Sequence, residues 1–151
     1  MIIRHARQDE AELLAEKLAG FHDSALGRML GEYDAKAGAD LILRTTQTDD
    51  AVTLVADDEG EIFGVLCAGA FSHPFKPSMK MAQELFWWVD PEKRKSGVGG
   101  ALLDAAEKWA ADVGCAVMIF ETIHGIDHER NGAFYERSGY DVLQHSYFKV
   151  I

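Results

Sequence analysis

The sequence lacks the features that would direct a chain into or across a membrane. Residues 1–5 do not have the charged-then-apolar layout of a signal peptide, and no apolar run approaches the length of a membrane span. Only two cysteines occur, Cys67 and Cys115, each in an apolar stretch, so we expect buried thiols and no disulfide. Internal repeats and low-complexity tracts are also missing. We therefore expect a cytoplasmic protein with no membrane partner, built as a single domain over residues 1–151.

Cations are scarce as well. The 15 Lys and Arg residues stand against 25 Asp and Glu residues, which gives a net charge of −10. Binding to a phosphate backbone depends on clustered cations, so this balance argues against a nucleic-acid partner. The same negative charge attracts cations from a distance, and an amine-bearing ligand is therefore electrostatically suitable.

Apolar periodicity and turn residues predict the secondary structure. The predicted strands span residues 1–4, 51–56, 61–71, 79–89, 115–121 and 140–150, the last as one or two strands. The predicted helices span residues 8–21, 24–36, 99–113 and 130–138. A turn at 57–60 makes a hairpin of its two flanking strands, and the unit 79–121 should be a crossover between parallel strands. The expected fold is α/β (α+β), with a mixed, mostly antiparallel sheet of about six to seven strands and about four helices.

One segment combines glycines with the densest group of cations in the chain. It reads Lys93, Arg94, Lys95, Ser96, Gly97, Val98, Gly99, Gly100, and it lies between a predicted strand and a predicted helix. Glycines let the backbone approach a ligand closely, and the first amides of a helix have no partner inside it. These amides form a cradle for an anion such as a pyrophosphate. The spacing matches neither a P-loop nor a dinucleotide fingerprint, and a solvated glycine-rich turn is the alternative.

This segment and a second one downstream resemble the signature of the GNAT superfamily of N-acetyltransferases. Residues 94–99 fill that family's Arg/Gln-x-x-Gly-x-Gly/Ala motif, and Val89-Asp90-Pro91 precedes them as in many members. Residues 134–140 (Phe-Tyr-Glu-Arg-Ser-Gly-Tyr) match the family's second block. The two blocks flank the predicted strand 115–121, and the predicted order of elements fits the family fold from end to end. The resemblance thus implies a GNAT-like domain over the whole chain.

The resemblance also implies a co-substrate and a reaction. Acetyl-CoA would donate an acetyl group directly to a primary amine of a small molecule or a protein. The backbone amides of residues 94–100 would hold the pyrophosphate, and Trp88 and Val89, at the splayed end of a strand, would pair with the pantetheine arm. Tyr135 would protonate the departing thiolate, unless it is simply a core aromatic residue. Many relatives carry an asparagine seven residues before this tyrosine. Here that residue is His128, which we include among the cofactor contacts, and the choice between it and Asn131 stays open.

Transfer needs a base for the amine and a donor to the developing oxyanion. The backbone amide around Val89 could be that donor. Glu84 lies on the strand that leads to the site, and some relatives use a carboxylate there. A solvent-facing Glu84 is an equal alternative, because a bulge would change its facing. His73, His124 and His128 are further candidates for the base.

Other interpretations stay open. A catalytically weak or inactive CoA-binding regulatory module would bind the cofactor without a working base, whereas acyl transfer to a nucleic acid conflicts with the acidic charge. The histidines and carboxylates of the loop 122–129 have no helix or cysteine that would support a metal site, so no metal is expected.

The acceptor pocket is the least patterned part of the chain. Trp87 and Trp88 must point to opposite faces of their strand, so one should be core and the other could line this pocket. The two N-terminal helices and the loop 71–77 should shape the pocket, although His22, Asp23, Tyr33 and Asp34 fit ordinary surface or packing roles. The C-terminal strands could pair across a homodimer.

Overall fold

The computed structural model describes residues 1–25, 27, 31–123, 128–147, 149 and 151. In that part of the chain it contains five strands and four α-helices. The strands are β1 (Ile2–His5), β2 (Ala51–Asp58), β3 (Glu61–His73), β4 (Lys76–Val89) and β5 (Val117–Ile119). The helices are α1 (Ala11–Ala25), α2 (Ala35–Thr45), α3 (Val98–Asp112) and α4 (His128–Arg137). Short 3-10 turns precede α1 at Gln8–Glu10 and follow β4 at Pro91–Lys93.

The strands form one sheet in the order β1-β2-β3-β4-β5. The first three pairings are antiparallel, and the fourth is parallel because α3 carries the chain back between β4 and β5. This arrangement confirms the predicted hairpin, the predicted crossover and the mixed, mostly antiparallel sheet. The described residues provide five strands where about six to seven were expected.

Helices cover both faces of the sheet. On one face α1 and α2 bury a core that includes Leu14, Leu18, Ile42, Val55, Val65, Cys67 and Phe86. On the other face α3 buries a core that includes Val52, Leu54, Leu66, Ala82, Leu102, Ala106 and Trp109. The helical spacing of three and four residues places Leu14 and Leu18 of α1, and Leu102 of α3, on the side that meets the sheet. Full burial of each such side chain stabilises the fold by about 1.5–3 kcal/mol.

A β-bulge in β4 changes which way its side chains face. Cys67 pairs with Phe86 and the next residue of β3, Ala68, pairs with Glu84, so Leu85 is the extra residue. Glu84 therefore lies on the α3 face with Ala68, while Phe86 lies in the core under α1 and α2. Without the bulge, Glu84 and Phe86 would share a face, because side chains two residues apart in a strand do so.

The prediction of a helix at 24–36 is wrong at its C-terminal end. Within the described residues α2 begins only at Ala35, where the carboxylate of Asp34 accepts a hydrogen bond from the Ala37 amide at 3.0 Å and caps the helix. Gly38 lies inside α2. A Cβ there would collide with the Tyr33 hydroxyl, which donates to the Ala15 carbonyl at 2.8 Å. Residues 26 and 28–30 lie outside the described residues.

The predicted C-terminal strands are also absent from residues 140–147, 149 and 151, and residues 148 and 150 lie outside the described part. Val142, Leu143 and Tyr147 are instead 70%, 68% and 95% exposed. A strand forms only against a partner edge, and in the described structure this segment joins no ladder. The predicted strand 115–121 is shorter than expected and half-buried. In the ranges described above, no helix is long and apolar enough to cross a membrane.

Candidate active site

A cleft of about 550 Å³ opens beside the C-terminal end of β4. The ladder with β5 covers only Met81–Gln83, but β4 continues to Val89, so the two strands separate beyond the ladder. The walls come from β4, the turn that follows it, the start of α3, and α4. The predicted site residues that line the cleft are Glu84, Trp88, Val89, Arg94, Lys95, Gly97, Gly99, Gly100 and Tyr135.

The start of α3 forms one end of the cleft. Gly97 is the N-cap with φ of 88°, a left-handed conformation that favours glycine, and Lys95, two residues earlier, also has a positive φ of 72°. Ala101 donates the first helical hydrogen bond, to the Gly97 carbonyl at 3.1 Å, so the amides of residues 98–100 precede the helical ladder. These three donors and the helix dipole suit an anion.

The glycines of this turn leave room on the cleft side. A Cβ on Gly100 would have nothing within 4 Å, so the space over the first turn of α3 is open. A Cβ on Gly99 would lie 3.3 Å from Cζ2 of Trp87, which means that α3 approaches β4 closely there. Of the other predicted contacts, Val98 is buried in the core and Ser96 donates its hydroxyl to the Lys93 carbonyl at 2.6 Å. Val98 can therefore offer only its backbone amide to a ligand, whereas the Ser96 amide itself donates to the Lys93 carbonyl at 3.3 Å.

The open edge of β4 carries an amide that faces the cleft. The Asp90 amide donates to the Phe63 carbonyl of β3 at 2.9 Å. Consecutive amides of an extended strand point to opposite edges, so the Val89 amide points away from β3. On that same side, Nε of Arg94 donates to the Val89 carbonyl at 3.0 Å, and its guanidinium lies over the Trp88 ring at 4.7 Å.

Asp90 fixes this edge to α1. Its carboxylate pairs with Nζ of Lys17 at 2.6 Å and accepts a hydrogen bond from Nε1 of Trp88 at 3.0 Å. This role of Asp90 was not predicted from the sequence, because its partner Lys17 is far away along the chain. The side chains of Trp87 and Trp88 lie on opposite faces, as predicted, and both line the cleft.

Glu84 is half-buried in the cleft wall. Its Oε2 accepts a hydrogen bond from the Glu121 amide at 3.3 Å. Burial raises the pKa of the Glu84 carboxyl to about 7, and the nearby charge of Glu121 adds to the rise. The carboxyl therefore changes its protonation state near neutral pH, which suits a group that exchanges protons with a ligand.

Tyr135 lies across the same backbone segment. Its hydroxyl donates to the Glu121 carbonyl at 3.4 Å, and its ring stacks on Phe120 with centroids 5.4 Å apart. Burial raises the pKa of the Tyr135 phenol well above its ordinary value, and the charge of Glu84 adds to this. Glu84 and Tyr135 thus hold the amide and the carbonyl of one residue, with a proton acceptor and a proton donor in one cleft.

The three histidines that were candidates for the base or for a cofactor contact lie in different places. Helix α4 begins at His128, but the described lining of the cleft includes Asn131 and not His128. Nδ1 of His73 accepts from the Phe75 amide at 3.1 Å in the turn between β3 and β4. His124 lies outside the described residues. Among the residues that are described, no group of three or more His, Cys, Asp or Glu side chains could hold a metal ion.

Sequence reasoning missed several residues of the cleft. They are Phe21, Leu85, Glu121, Ile123, Arg130, Phe134 and Arg137. The spacing of Arg130, Phe134 and Arg137 on α4 is a signal that could have identified that helix face. Glu121 and Leu85 carried no such signal, because the separation of two strands and the bulge bring them to the cleft.

Comparisons with known proteins agree with this architecture. The acetyltransferase (GNAT) family model matches residues 13–140. The uncharacterized N-acetyltransferase YhfO of Bacillus subtilis (strain 168) is 31% identical over 144 residues, which cover 93% of this chain and 90% of that protein. A crystallised mutant of the BH1408 protein from Bacillus halodurans has a TM-score of 0.83 at 19% identity, over 100% of this chain and 99% of that one. AAC(6')-Iy, solved with a CoA bisubstrate analogue, has a TM-score of 0.76 at 16% identity, over 99% and 97% of the two chains.

Proposed function

Because the chain belongs to the GNAT acetyltransferase family, we propose that it is an N-acetyltransferase that uses acetyl-CoA and acts on a primary amine of a small molecule or a protein. The observation that carries this proposal is the convergence of Glu84 and Tyr135 on the Glu121 backbone, in the same cleft as the glycine turn. A proton acceptor, a proton donor and an anion cradle are the three parts that such a transfer requires.

The residues present fit the co-substrate. The amides of residues 98–100, with the open space over Gly100, would hold the pyrophosphate, and Lys95 adds positive charge at the same end of the cleft. The backbone of Trp88 and Val89 at the open edge of β4 would pair with the pantetheine arm. On α4, the position of Asn131 in the cleft wall favours it over His128 for a further contact.

Bound acetyl-CoA supplies the thioester, and transfer joins the acetyl carbon to the amine nitrogen while the carbon–sulfur bond breaks, so one proton is removed and one is donated. Glu84, with a pKa of about 7, would remove the proton from the amine. The Val89 amide, which points to the open edge of β4, would donate to the developing oxyanion. The phenol of Tyr135, whose ordinary pKa is already far above neutral and is raised further by burial, is protonated at neutral pH and would give its proton to sulfur.

Two measurements test this function. Acetyl-CoA at a large excess over its dissociation constant should raise the melting temperature, because a ligand that binds only the folded state stabilises it. Release of CoA should then depend on an added amine, and Tyr135→Phe should lower kcat by about 10²-fold or more while leaving the ring contacts in place. Tyr140→Phe is the matched control, because the Tyr140 hydroxyl donates to Glu107 at 2.6 Å and not to a group of the cleft.

The outcomes separate the alternatives. No thermal shift with acetyl-CoA would refute the cofactor assignment. A thermal shift without turnover on any amine or peptide would favour a CoA-binding regulatory module. Equal activity of Tyr135→Phe and Tyr140→Phe would remove Tyr135 as the acid and leave the rest of the proposal in place.

A further inference from the structure

A partly exposed apolar strip continues from the cleft along the sheet. Phe71 pairs with Met81, and Ile119 pairs with Gln83, so the side chains of all four lie on the face of the sheet that α1 and α2 cover elsewhere. The neighbours of these residues along β3 and β4, Ala70 and Ala82, lie on the α3 face instead. We call the strip formed by Phe71, Met81, Leu85 and Ile119 the apolar sheet surface.

The bulge residue Leu85 joins this surface to the cleft. A Cβ on Gly69, which lies on the same face as Phe71, would be 3.9 Å from Cδ1 of Leu85. Leu85 is 50% exposed and Phe71 is 41% exposed, so both present apolar area to solvent. Leu85 also lines the cleft together with Phe21 and the adjacent Glu84. Glu84 lies on the α3 face and Leu85 on the opposite face, but both line the cleft, so a ligand in the cleft with its nitrogen at Glu84 has Leu85 as a neighbour.

The polar edge of the apolar sheet surface is acidic. Glu121 lies two residues beyond Ile119, and its Oε1 accepts a hydrogen bond from Nε2 of Gln83 at 3.1 Å. The exposed carboxylate of Glu121 and the half-buried carboxyl of Glu84 both attract a cationic nitrogen. Acidic groups next to exposed apolar area suit a ligand that has one amine and one apolar part.

We propose that the apolar sheet surface binds an apolar group of the acceptor, so that the preferred acceptor is a primary amine with an aromatic or extended aliphatic group. The inference rests on the proposed function, which supplies the amine, and adds the class of molecule that carries it. It distinguishes this acceptor from a polyamine or another wholly polar polycation, which would leave Leu85 and Phe71 in contact with water.

The two exposed side chains should respond to acceptors of different length. Gly69 lies beside Leu85, and Phe71 is two residues further along β3, which is about 7 Å in a strand. A short amine reaches only Leu85. A longer amine reaches Phe71 as well.

The experiment measures CoA release with acetyl-CoA and the homologous series propylamine, pentylamine and heptylamine, with phenethylamine as an aromatic acceptor and spermidine as the polar contrast. Because burial of one methylene is worth about fourfold in a binding constant, kcat/KM should rise by roughly two- to fourfold for each methylene added. Leu85→Ala should reduce this increase for every amine of the series. Leu13→Ala is the matched control, because Leu13 is a leucine of similar exposure, 47%, on α1.

Phe71→Ala should lower kcat/KM for heptylamine and leave propylamine unchanged. Phe75→Ala, at a phenylalanine that is 93% exposed in the turn between β3 and β4, is its control. Calorimetry of heptylamine with the CoA-loaded protein gives a readout other than turnover, and Leu85→Ala should weaken the binding by about threefold or more.

The outcomes distinguish this inference from the function on which it rests. If propylamine, heptylamine and spermidine are acetylated with equal kcat/KM, or if Leu85→Ala matches Leu13→Ala throughout, the apolar subsite is refuted and the N-acetyltransferase remains. If no amine supports CoA release but heptylamine binds with the predicted dependence on Leu85, the apolar subsite stands and the catalytic proposal fails. If neither turnover nor binding is detected, both fail.

Discussion

Replacement of Glu84 by glutamine should make the protein more stable and less active, and the gain in stability should depend on pH. The side chain keeps its size, and its amide oxygen can still accept the hydrogen bond that the Glu121 amide donates at 3.3 Å. The substitution removes only the charge and the ability to exchange a proton. Stability and activity can therefore be compared at one position without a change of packing.

The magnitude follows from the pKa of Glu84, which is raised from 4.5 to about 7 in the folded protein. Below pH 4.5 the carboxyl is protonated in both the folded and the unfolded states, so it has no effect on the pH dependence. Between pH 4.5 and pH 7 the unfolded chain loses this proton first, and stability falls as pH rises. Above pH 7 the loss is complete, at most about 3 kcal/mol, because each tenfold change in acidity is worth about 1.4 kcal/mol.

Glu84→Gln should remove this loss. Relative to the wild type, the free energy of unfolding of the variant should increase by up to about 3 kcal/mol between pH 4 and pH 8, which corresponds to roughly 6–12 °C in melting temperature for a chain of this length. Over the same range kcat/KM of the wild type should rise with pH, with an apparent pKa near 7. The variant should not show this rise, and its kcat/KM should be about 10²–10⁴-fold lower.

Urea unfolding at several pH values, with CoA release measured at the same pH values, is the assay. Glu16→Gln, at an exposed glutamate of α1, is the control for a lost surface charge. A difference between wild type and Glu84→Gln that stays constant from pH 4 to pH 8 would show that burial does not disfavour the ionised carboxyl. Full activity of the variant would show that Glu84 is not the base.

Two further predictions concern the glycine turn and the tryptophan beside it. Gly97→Ala should destabilise the protein by about 1–2 kcal/mol, because residue 97 has a positive φ. Gly100→Ala places its Cβ where nothing lies within 4 Å, so it should stabilise α3 by up to about 1 kcal/mol and still weaken acetyl-CoA binding. If calorimetry gives Gly100→Ala the same affinity for acetyl-CoA as the wild type, the anion cradle is refuted. Within the described structure the buried Nε1 of Trp87 has no hydrogen-bond partner. Trp87→Phe therefore removes an unsatisfied donor and also some packing contacts, and these two effects oppose each other. Urea unfolding should show that the free energy of unfolding changes by less than about 2 kcal/mol.

The elements that the sequence predicted well are those whose signals are local. Such signals are the glycines, the apolar stripe of α3 and the turn at 57–60, each of which depends only on residues that are close together in the chain. Accordingly, β2, β3 and α3 lie close to the predicted positions. The prediction of a helix through residues 31–34 was wrong, because the helix begins only where Asp34 caps it. The spacing alone did not distinguish Tyr33, which packs and donates towards α1, from a residue on a helix face.

Parts of the candidate site could not be predicted, because they depend on contacts between distant segments. The facing of Glu84 is set by the register between β3 and β4, and the bulge at Leu85 has no signature in the sequence. Glu121 enters the cleft because β4 and β5 separate beyond their short ladder. The C-terminal segment has the composition of a strand, but whether a strand forms depends on an available edge, which composition does not specify.

The order of strands in the sheet has a consequence for how the molecule folds. Strands β2, β3 and β4 each pair with the strand that precedes them in the chain. Tight turns join β2 to β3 and β3 to β4. The pairing of Met81 with Val117 closes a much longer loop that contains all of α3, so it carries a larger entropy cost. We expect β5, whose ladder is only three residues long, to dock later than β2, β3 and β4 during folding and to exchange its amide hydrogens before theirs. The cleft beside β4 can then loosen while the antiparallel part of the sheet stays intact.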